Sequence, residues 1–135
     1  MDRSRFLAGL IGPTLAAVAL SLLINPTLVP EMTDVIQRDF ALILIAGVLA
    51  LLAGLAIVMT HNVWKGWPGI ITAFGWLAIL GGLGRILFPA QIARLAAGMV
   101  RDASPAVMIL AVVLLLLGLF LSFQAFRPRP SESPR

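Results

Sequence analysis

The sequence predicts an all-α membrane protein: a bundle of four transmembrane helices with two short amphipathic helices lying in the outer interface. Three observations carry that expectation. Of 135 residues, 60% are hydrophobic and only 12% are charged, against about 25% charged in a soluble domain. The mean hydropathy is +1.02. Four runs without Asp, Glu, Lys or Arg cover 6–24, 40–60, 66–84 and 103–126, each near the length of about 20 residues that a crossing helix needs. Helices fit because a chain in hydrocarbon must satisfy its own backbone hydrogen bonds. Barrel strands would alternate in polarity, and these runs do not.

The length allows one domain, 1–126, followed by a tail, 127–135, whose prolines, serines and arginines predict disorder. The first run follows Arg3 and Arg5 and has the outline of a signal peptide. It is read as a span, because Asn25-Pro26 stands where a small-residue cleavage site should be. Pro13 falls inside this span and is a candidate kink.

The net charge of +4 is scattered along the chain, with no basic cluster beside aromatic residues. That argues against nucleic acid and for charges that orient the chain in a bilayer. Four crossings place both termini on one side, together with Arg3, Arg5, Lys65, Arg127, Arg129 and Arg135, six in all. The other side holds Arg38, Arg85, Arg94 and Arg101, four in all. The excess predicts cytoplasmic termini. Phe6, Trp64, Trp67, Phe123 and Phe126 are expected to ring the inner interface, and Phe40 and Phe88 the outer one.

Both long connections have helical periodicity. In 30–39, Met32, Val35 and Ile36 share one face and Glu31, Asp34 and Arg38 another. In 89–102, Ile92, Leu95, Ala96 and Met99 oppose Gln91, Arg94 and Arg101. Pro30 and Pro89 sit where a first helical turn tolerates proline. Both segments read as helices lying in the outer interface, apolar side toward lipid.

The halves of the chain match at an offset of 63: Gly12 with Gly75, Pro26 with Pro89, Arg38 with Arg101, Asp39 with Asp102. The match suggests an internal duplication of a unit made of crossing helix, interfacial helix and crossing helix, the copies related by an axis along the membrane normal. Asp39 and Asp102 just precede a span, where a carboxylate caps free N–H groups.

Asn25-Pro26, His61-Asn62-Val63-Trp64, Gly75-Trp76, Arg85…Phe88-Pro89 and Leu121-Ser122-Phe123 together resemble an uncharacterised family of small four-span bacterial inner-membrane proteins. The resemblance covers roughly 25–123. It implies a bacterial membrane protein and brings no activity or site with it.

Each span carries small residues at near-helical spacing: Gly9, Gly12, Ala16 and Ala19; Gly47, Ala50 and Gly54; Gly75, Ala78 and Gly82; Ala111, Gly118, Ser122 and Ala125. Such stripes let helix backbones approach closely in lipid. They predict a compact bundle, or one stripe turned toward another protein.

Few residues are candidate sites. His61 is the single histidine. A haem or pigment ligand is one reading, but the expected role is a helix-end cap or interface contact. Arg85 is the one charge at the hydrocarbon edge, where such residues are costly. It is expected to snorkel outward or to pair with Asp39 or Asp34. Trp76 lies mid-span and is expected to give its N–H to a backbone or hydroxyl acceptor. Gly81-Gly82-Leu83-Gly84 lacks the strand before and the Lys-Ser/Thr after of a phosphate loop, and reads as close packing.

No Asp or Glu lies in any span, which argues against proton- or sodium-coupled transport. No cysteine is present and no nucleophile with a histidine beside it, carboxylate pair or metal-ligand cluster is apparent, so neither enzyme chemistry, a cofactor nor a metal is expected. The chain reads as a non-catalytic accessory, assembly or packing subunit whose partners are membrane lipids and other membrane subunits or copies of itself. A small channel or carrier for a neutral or lipidic solute, lined by glycine, Ser21, Thr72 and Ser122, is the alternative. A lipid- or pigment-binding protein using Arg85 or His61 is the third reading.

Overall fold

The computed structural model describes residues 3–102 and 104–128, and within them the side chains of residues 36, 37, 101, 102 and 104 are excepted. The described residues form six helices: α1 (Arg3–Ile24), α2 (Leu28–Arg38), α3 (Phe40–Thr60), α4 (Pro68–Leu87), α5 (Pro89–Asp102) and α6 (Ser104–Phe126). Helices α1, α3, α4 and α6 are long and apolar enough to cross a membrane. The chain is therefore a multi-pass integral membrane protein, and α2 and α5 are the two shorter helices predicted between spans. The expectation of a disordered tail falls mainly on 129–135, outside the described residues, as does the side chain of Asp102 with its predicted cap.

Element ends follow local chemistry. Asp39 caps α3, its Oδ1 accepting from Ala41 N at 2.9 Å, which satisfies one of the free donors of a helix start. The third span is shifted from the expected 66–84. Gly66 has φ +69°, a conformation that favours glycine, so the helix begins only at Pro68. It runs through Arg85 because one charge does not break a helix, and it closes at Phe88, where Phe88 N donates to Gly84 O at 2.8 Å just before Pro89. Helix α2 begins two residues earlier than the sequence predicts, with Leu28 N donating to Asn25 O at 3.0 Å. Pro30 still falls in its first turn, where a missing N–H costs nothing.

The four spans are not equally engaged with one another. They form two close pairs, α1 with α6 and α3 with α4, while the remaining contacts between spans are sparse. Helices α2 and α5 pack on each other. Arg5 joins the start of α1 to the end of α6: its Nε donates to Gln124 O at 3.3 Å and its Nη2 to Arg127 O. A cleft lined by Arg3 and Phe6 on one side and Met59 and Thr60 on the other places the end of α3 at that same level. The start of α1, the end of α6 and the 61–67 turn therefore share one end of the bundle, the terminal face. The α2–α5 pair closes the opposite end, the capped face.

The pairing obeys the internal repeat. Exchanging the halves turns α1·α6 into α4·α3 and maps α2·α5 onto itself. Burial repeats as well. Ala8, Gly12 and Ala19 of α1 match Ile71, Gly75 and Gly82 of α4 at an offset of 63, and all six are buried. Gly47, Gly54 and Ile57 of α3 match Ala111, Gly118 and Leu121 of α6 at an offset of 64, again all buried. The extra residue falls between Asp102 and the start of α6. Where the four spans meet, each gives one residue to the core: Ala8, Ile57, Ile71 and Leu121.

Small residues make the close pairs possible, as the stripes predict. A Cβ at Gly12 would lie 2.6 Å from Ser122 N, one at Gly118 2.6 Å from Ala16 N, one at Gly54 2.7 Å from Gly75 O, and one at Gly82 2.6 Å from Leu51 N. Any side chain at these positions pushes the helix backbones apart. Gly82, in the glycine cluster, is thus a packing residue. The outward faces are nearly all Leu, Val, Ile, Met and Phe. That surface would be untenable in water and costs nothing in lipid.

Candidate functional site

Three polar places stand out in this apolar molecule: the 61–67 turn, the Arg85 edge and the middle of α4. The turn is the most ordered by hydrogen bonds. Thr72, fully buried one turn into α4, reaches back across it. Its Oγ1 accepts from Val63 N at 3.1 Å and faces Val63 O at 2.9 Å and His61 O at 3.4 Å. One hydroxyl thereby satisfies backbone groups of two turn residues that the helices leave unpaired. His61 ends α3, its N–H donating to Ile57 O at 2.8 Å. The residue is 4% exposed, with ring Nε2 facing Pro68 O at 3.3 Å, a contact that requires hydrogen on Nε2. His61 is thus the C-cap of α3 and tethers it to the first residue of α4. Trp64 Nε1 donates to Asn62 Oδ1 at 2.8 Å. Trp67 departs from expectation: it is half-buried against the four-span core rather than ringing the rim, because Gly66 turns the chain inward.

Arg85 behaves differently from its prediction. Its Nη1 donates to Gly81 O at 2.9 Å, one turn back along α4. The side chain is half-buried and folds toward the bilayer interior rather than out to the capped face. Among the described residues neither Asp34 nor Asp39 pairs with it. Asp34 is exposed on α2, and Asp39 is occupied at the α3 cap. The physical reason is competition: a free backbone N–H beside Asp39 is a nearer partner than a guanidinium on another helix.

Trp76 also departs from expectation. It is 43% exposed on the outward side of α4, close to the helix midpoint, and its indole N–H has no partner among the described residues. The hydroxyls offered as a pore lining do not converge. Thr72 is consumed at the turn, Ser122 donates to Gly118 O at 2.8 Å, and Ser21 is exposed near the capped end of α1.

A cleft of about 540 Å³ opens between α1 and α3 at the terminal face, lined by apolar side chains with Arg3 at its rim. Arg3 has no partner among the described residues. A second groove of about 450 Å³ runs under α2 along Leu42 and Ala46 of α3. Sequence reasoning missed both. Each arises from the gap between the two helix pairs or beneath an overhanging helix, and a linear pattern does not report gaps.

Thr72 was the other residue whose role was not foreseen. Its signal was a hydroxyl placed one turn after Pro68, facing a seven-residue connection with unpaired backbone. Comparison of the chain with family models, curated proteins and solved structures returned no match.

Proposed function

We propose that the protein is a non-catalytic assembly or packing subunit of the bacterial inner membrane, with both termini cytoplasmic, that docks through its lipid-facing helices on other membrane subunits or on copies of itself. The observation that carries this reading is Trp76. Tryptophan belongs at the membrane–water interface, where its N–H finds water. Here it lies at mid-span, outward, with that N–H unanswered among the described residues. An unsatisfied donor in hydrocarbon is costly, and a neighbouring helix that supplies an acceptor removes the cost. The six-to-four excess of basic residues on the terminal side supports the orientation. Extraction in a mild detergent followed by mass measurement tests the proposal. The expected result is a complex larger than one chain; a strictly monomeric protein without a co-purifying subunit overturns it.

One observation favours a second reading, a lipid-binding protein. The α1–α3 cleft is lined mostly by apolar side chains and has at its mouth Arg3, which has no partner among the described residues, and this suits one acyl chain with an anionic headgroup. Native mass spectrometry after delipidation tests it. Retention of one anionic phospholipid, lost in Arg3→Gln, supports this reading, and a lipid-free protein removes it.

A further inference from the structure

We infer that the surface around Trp76 docks on the outward face of α1 of a second copy of this chain, head to tail, with the Trp76 indole N–H donating to Thr14 Oγ1 of that copy. The inference rests on the assembly reading above and names its partner.

The donor is described already. Its complement lies on the same polypeptide. Thr14 is exposed near the middle of α1, and its hydroxyl hydrogen is spent on Leu10 O at 2.7 Å. Its oxygen lone pairs therefore face outward at mid-span without a donor. Pro13 beside it has no N–H to give to the Gly9 carbonyl, so this stretch of α1 is short of donors. The chain thus has a mid-bilayer surface lacking an acceptor and another lacking a donor.

Their depths agree. At the repeat offset of 63, Trp76 corresponds to Pro13 and Leu77 to Thr14. Helices α1 and α4 both run from the terminal face to the capped face. In one membrane all copies share an orientation, so Trp76 of one copy and Thr14 of the next lie within about one residue rise, ~1.5 Å, of the same depth. Shape agrees too. Beside Thr14 the exposed face of α1 has low positions at Pro13 and Ala17, flanked by the taller Leu10 and Val18. Beside Trp76 the exposed face of α4 is tall, with Leu77 and Leu80.

The repeat also fixes the kind of contact. Thr14 is equivalent to Leu77, the residue after Trp76, so the two faces belong to different halves of the repeat. A two-fold dimer through α4 would set Trp76 against Trp76, donor against donor, and leave both unsatisfied. A contact of α4 with α1 of the next copy pairs donor with acceptor, and its repetition without reciprocity gives a ring or a row.

The absence of cysteine makes the test direct. Ala17 and Leu80 are also equivalent at the offset of 63, both are exposed, and both lie one turn from the inferred bond. One tagged copy carries Ala17→Cys and a differently tagged copy carries Leu80→Cys, each otherwise full length. They are co-expressed and oxidised in native membranes. The expected product is the mixed disulfide, at least about fivefold over either same-site product. Equal same-site products, or no cross-link, overturns the inference.

A second measurement covers failure of the cysteine chemistry. Trp76→Phe and Thr14→Val should each weaken self-association about threefold to thirtyfold, the range of one hydrogen bond between helices in lipid. The double variant should be no weaker than either single one. Unchanged self-association in Trp76→Phe overturns the inference. A chain that is never self-associated but is held stoichiometrically by a different membrane protein overturns it while leaving the assembly reading intact.

Discussion

The two helix pairs are built on the same plan and secured by different means. Helices α3 and α4 are neighbours in sequence, joined by the 61–67 turn, and Thr72 and His61 bind that turn from within. Helices α1 and α6 come from opposite ends of the chain and have no connecting turn. Their contact depends on the close backbone crossing at Gly12 and Gly118 and on the bonds from Arg5 to the α6 end. Their difference shows what a short connection supplies. The local pair has its register set by hydrogen bonds, whereas the non-local pair has its register set almost wholly by shape. A defect in shape should therefore cost the second pair more.

The largest expected effect follows from that asymmetry. Gly12→Leu places a branched side chain where even a Cβ meets Ser122 N at 2.6 Å. Overpacking of this kind costs about 1–3 kcal/mol and sometimes more. Gly54→Leu creates an equal clash, with Gly75 O at 2.7 Å, in the pair that its turn still holds. Cysteine cross-linking of α1 to α6 in Gly12→Leu should fall several-fold, while cross-linking of α3 to α4 in Gly54→Leu should persist. Equal loss in both variants would mean that the turn contributes nothing to pairing.

Next in size is Thr72→Val, which keeps the shape and removes the hydroxyl. It strands Val63 N–H in a partly exposed turn, where an unsatisfied group costs less than the about 1–3 kcal/mol of a fully buried one. Thermal unfolding in detergent should shift downward, and protease should reach the 61–67 turn sooner. Thr72→Ser should restore most of the loss. A Thr72→Val protein as resistant as the parent would show that α3 and α4 need no stitched turn, and the contrast between the pairs would vanish.

Most of this fold was legible in the sequence. The third-span shift is itself a lesson, since Gly66 and Pro68 outweighed hydrophobicity in setting the start of α4. The spans were readable because lipid imposes one simple demand, about 20 apolar residues in a row. The interfacial helices were readable from periodicity, and the packing stripes from glycine spacing. The pairing of spans was not. Which stripe meets which depends on contacts between residues as distant as Gly12 and Ser122, and in a chain so rich in Leu, Gly and Ala each stripe suits several others. The repeat held the missing information: a unit whose first span meets the last span of its copy closes α1 on α6 and α4 on α3 together. The polar side chains were least legible. Arg85 and Trp76 were both assigned partners by depth alone, and depth does not say whether a side chain points along its own helix, across to another, or out into lipid.

Arg5→Ala ranks third. It removes the bonds from the start of α1 to Gln124 O and Arg127 O, at the partly exposed end of the non-local pair. Hydrogen bonds from a charged donor contribute about 1.5–3 kcal/mol when sheltered, and water access lowers this to about 1 kcal/mol or less. Hydrogen exchange at the last turn of α6 should quicken, while exchange at the end of α3 should not change. If both ends respond alike, Arg5 is not specific to the α1–α6 pair.

The smallest effect on stability is expected at Arg85, and it sharpens the comparison most. Arg85 lies on the α3–α4 pair, where its first-half equivalent is Leu22 of the α1–α6 pair. The fold thus tolerates an apolar residue at this level in one half. Arg85 makes one bond, to the carbonyl of its own helix, which already serves the helix ladder, and it pairs with no carboxylate among the described residues. Removing a partly buried charge that lacks a counter-ion recovers desolvation energy as well as losing the bond. Arg85→Met, which keeps the volume of the stem, should therefore change the unfolding temperature by no more than about 2 °C, as expected for a change of about 0.5 kcal/mol. A larger loss would mean that the guanidinium holds α4 against α3. No loss would leave a charged group at the hydrocarbon edge with no part in stability, and such a group is retained for what it meets outside the chain.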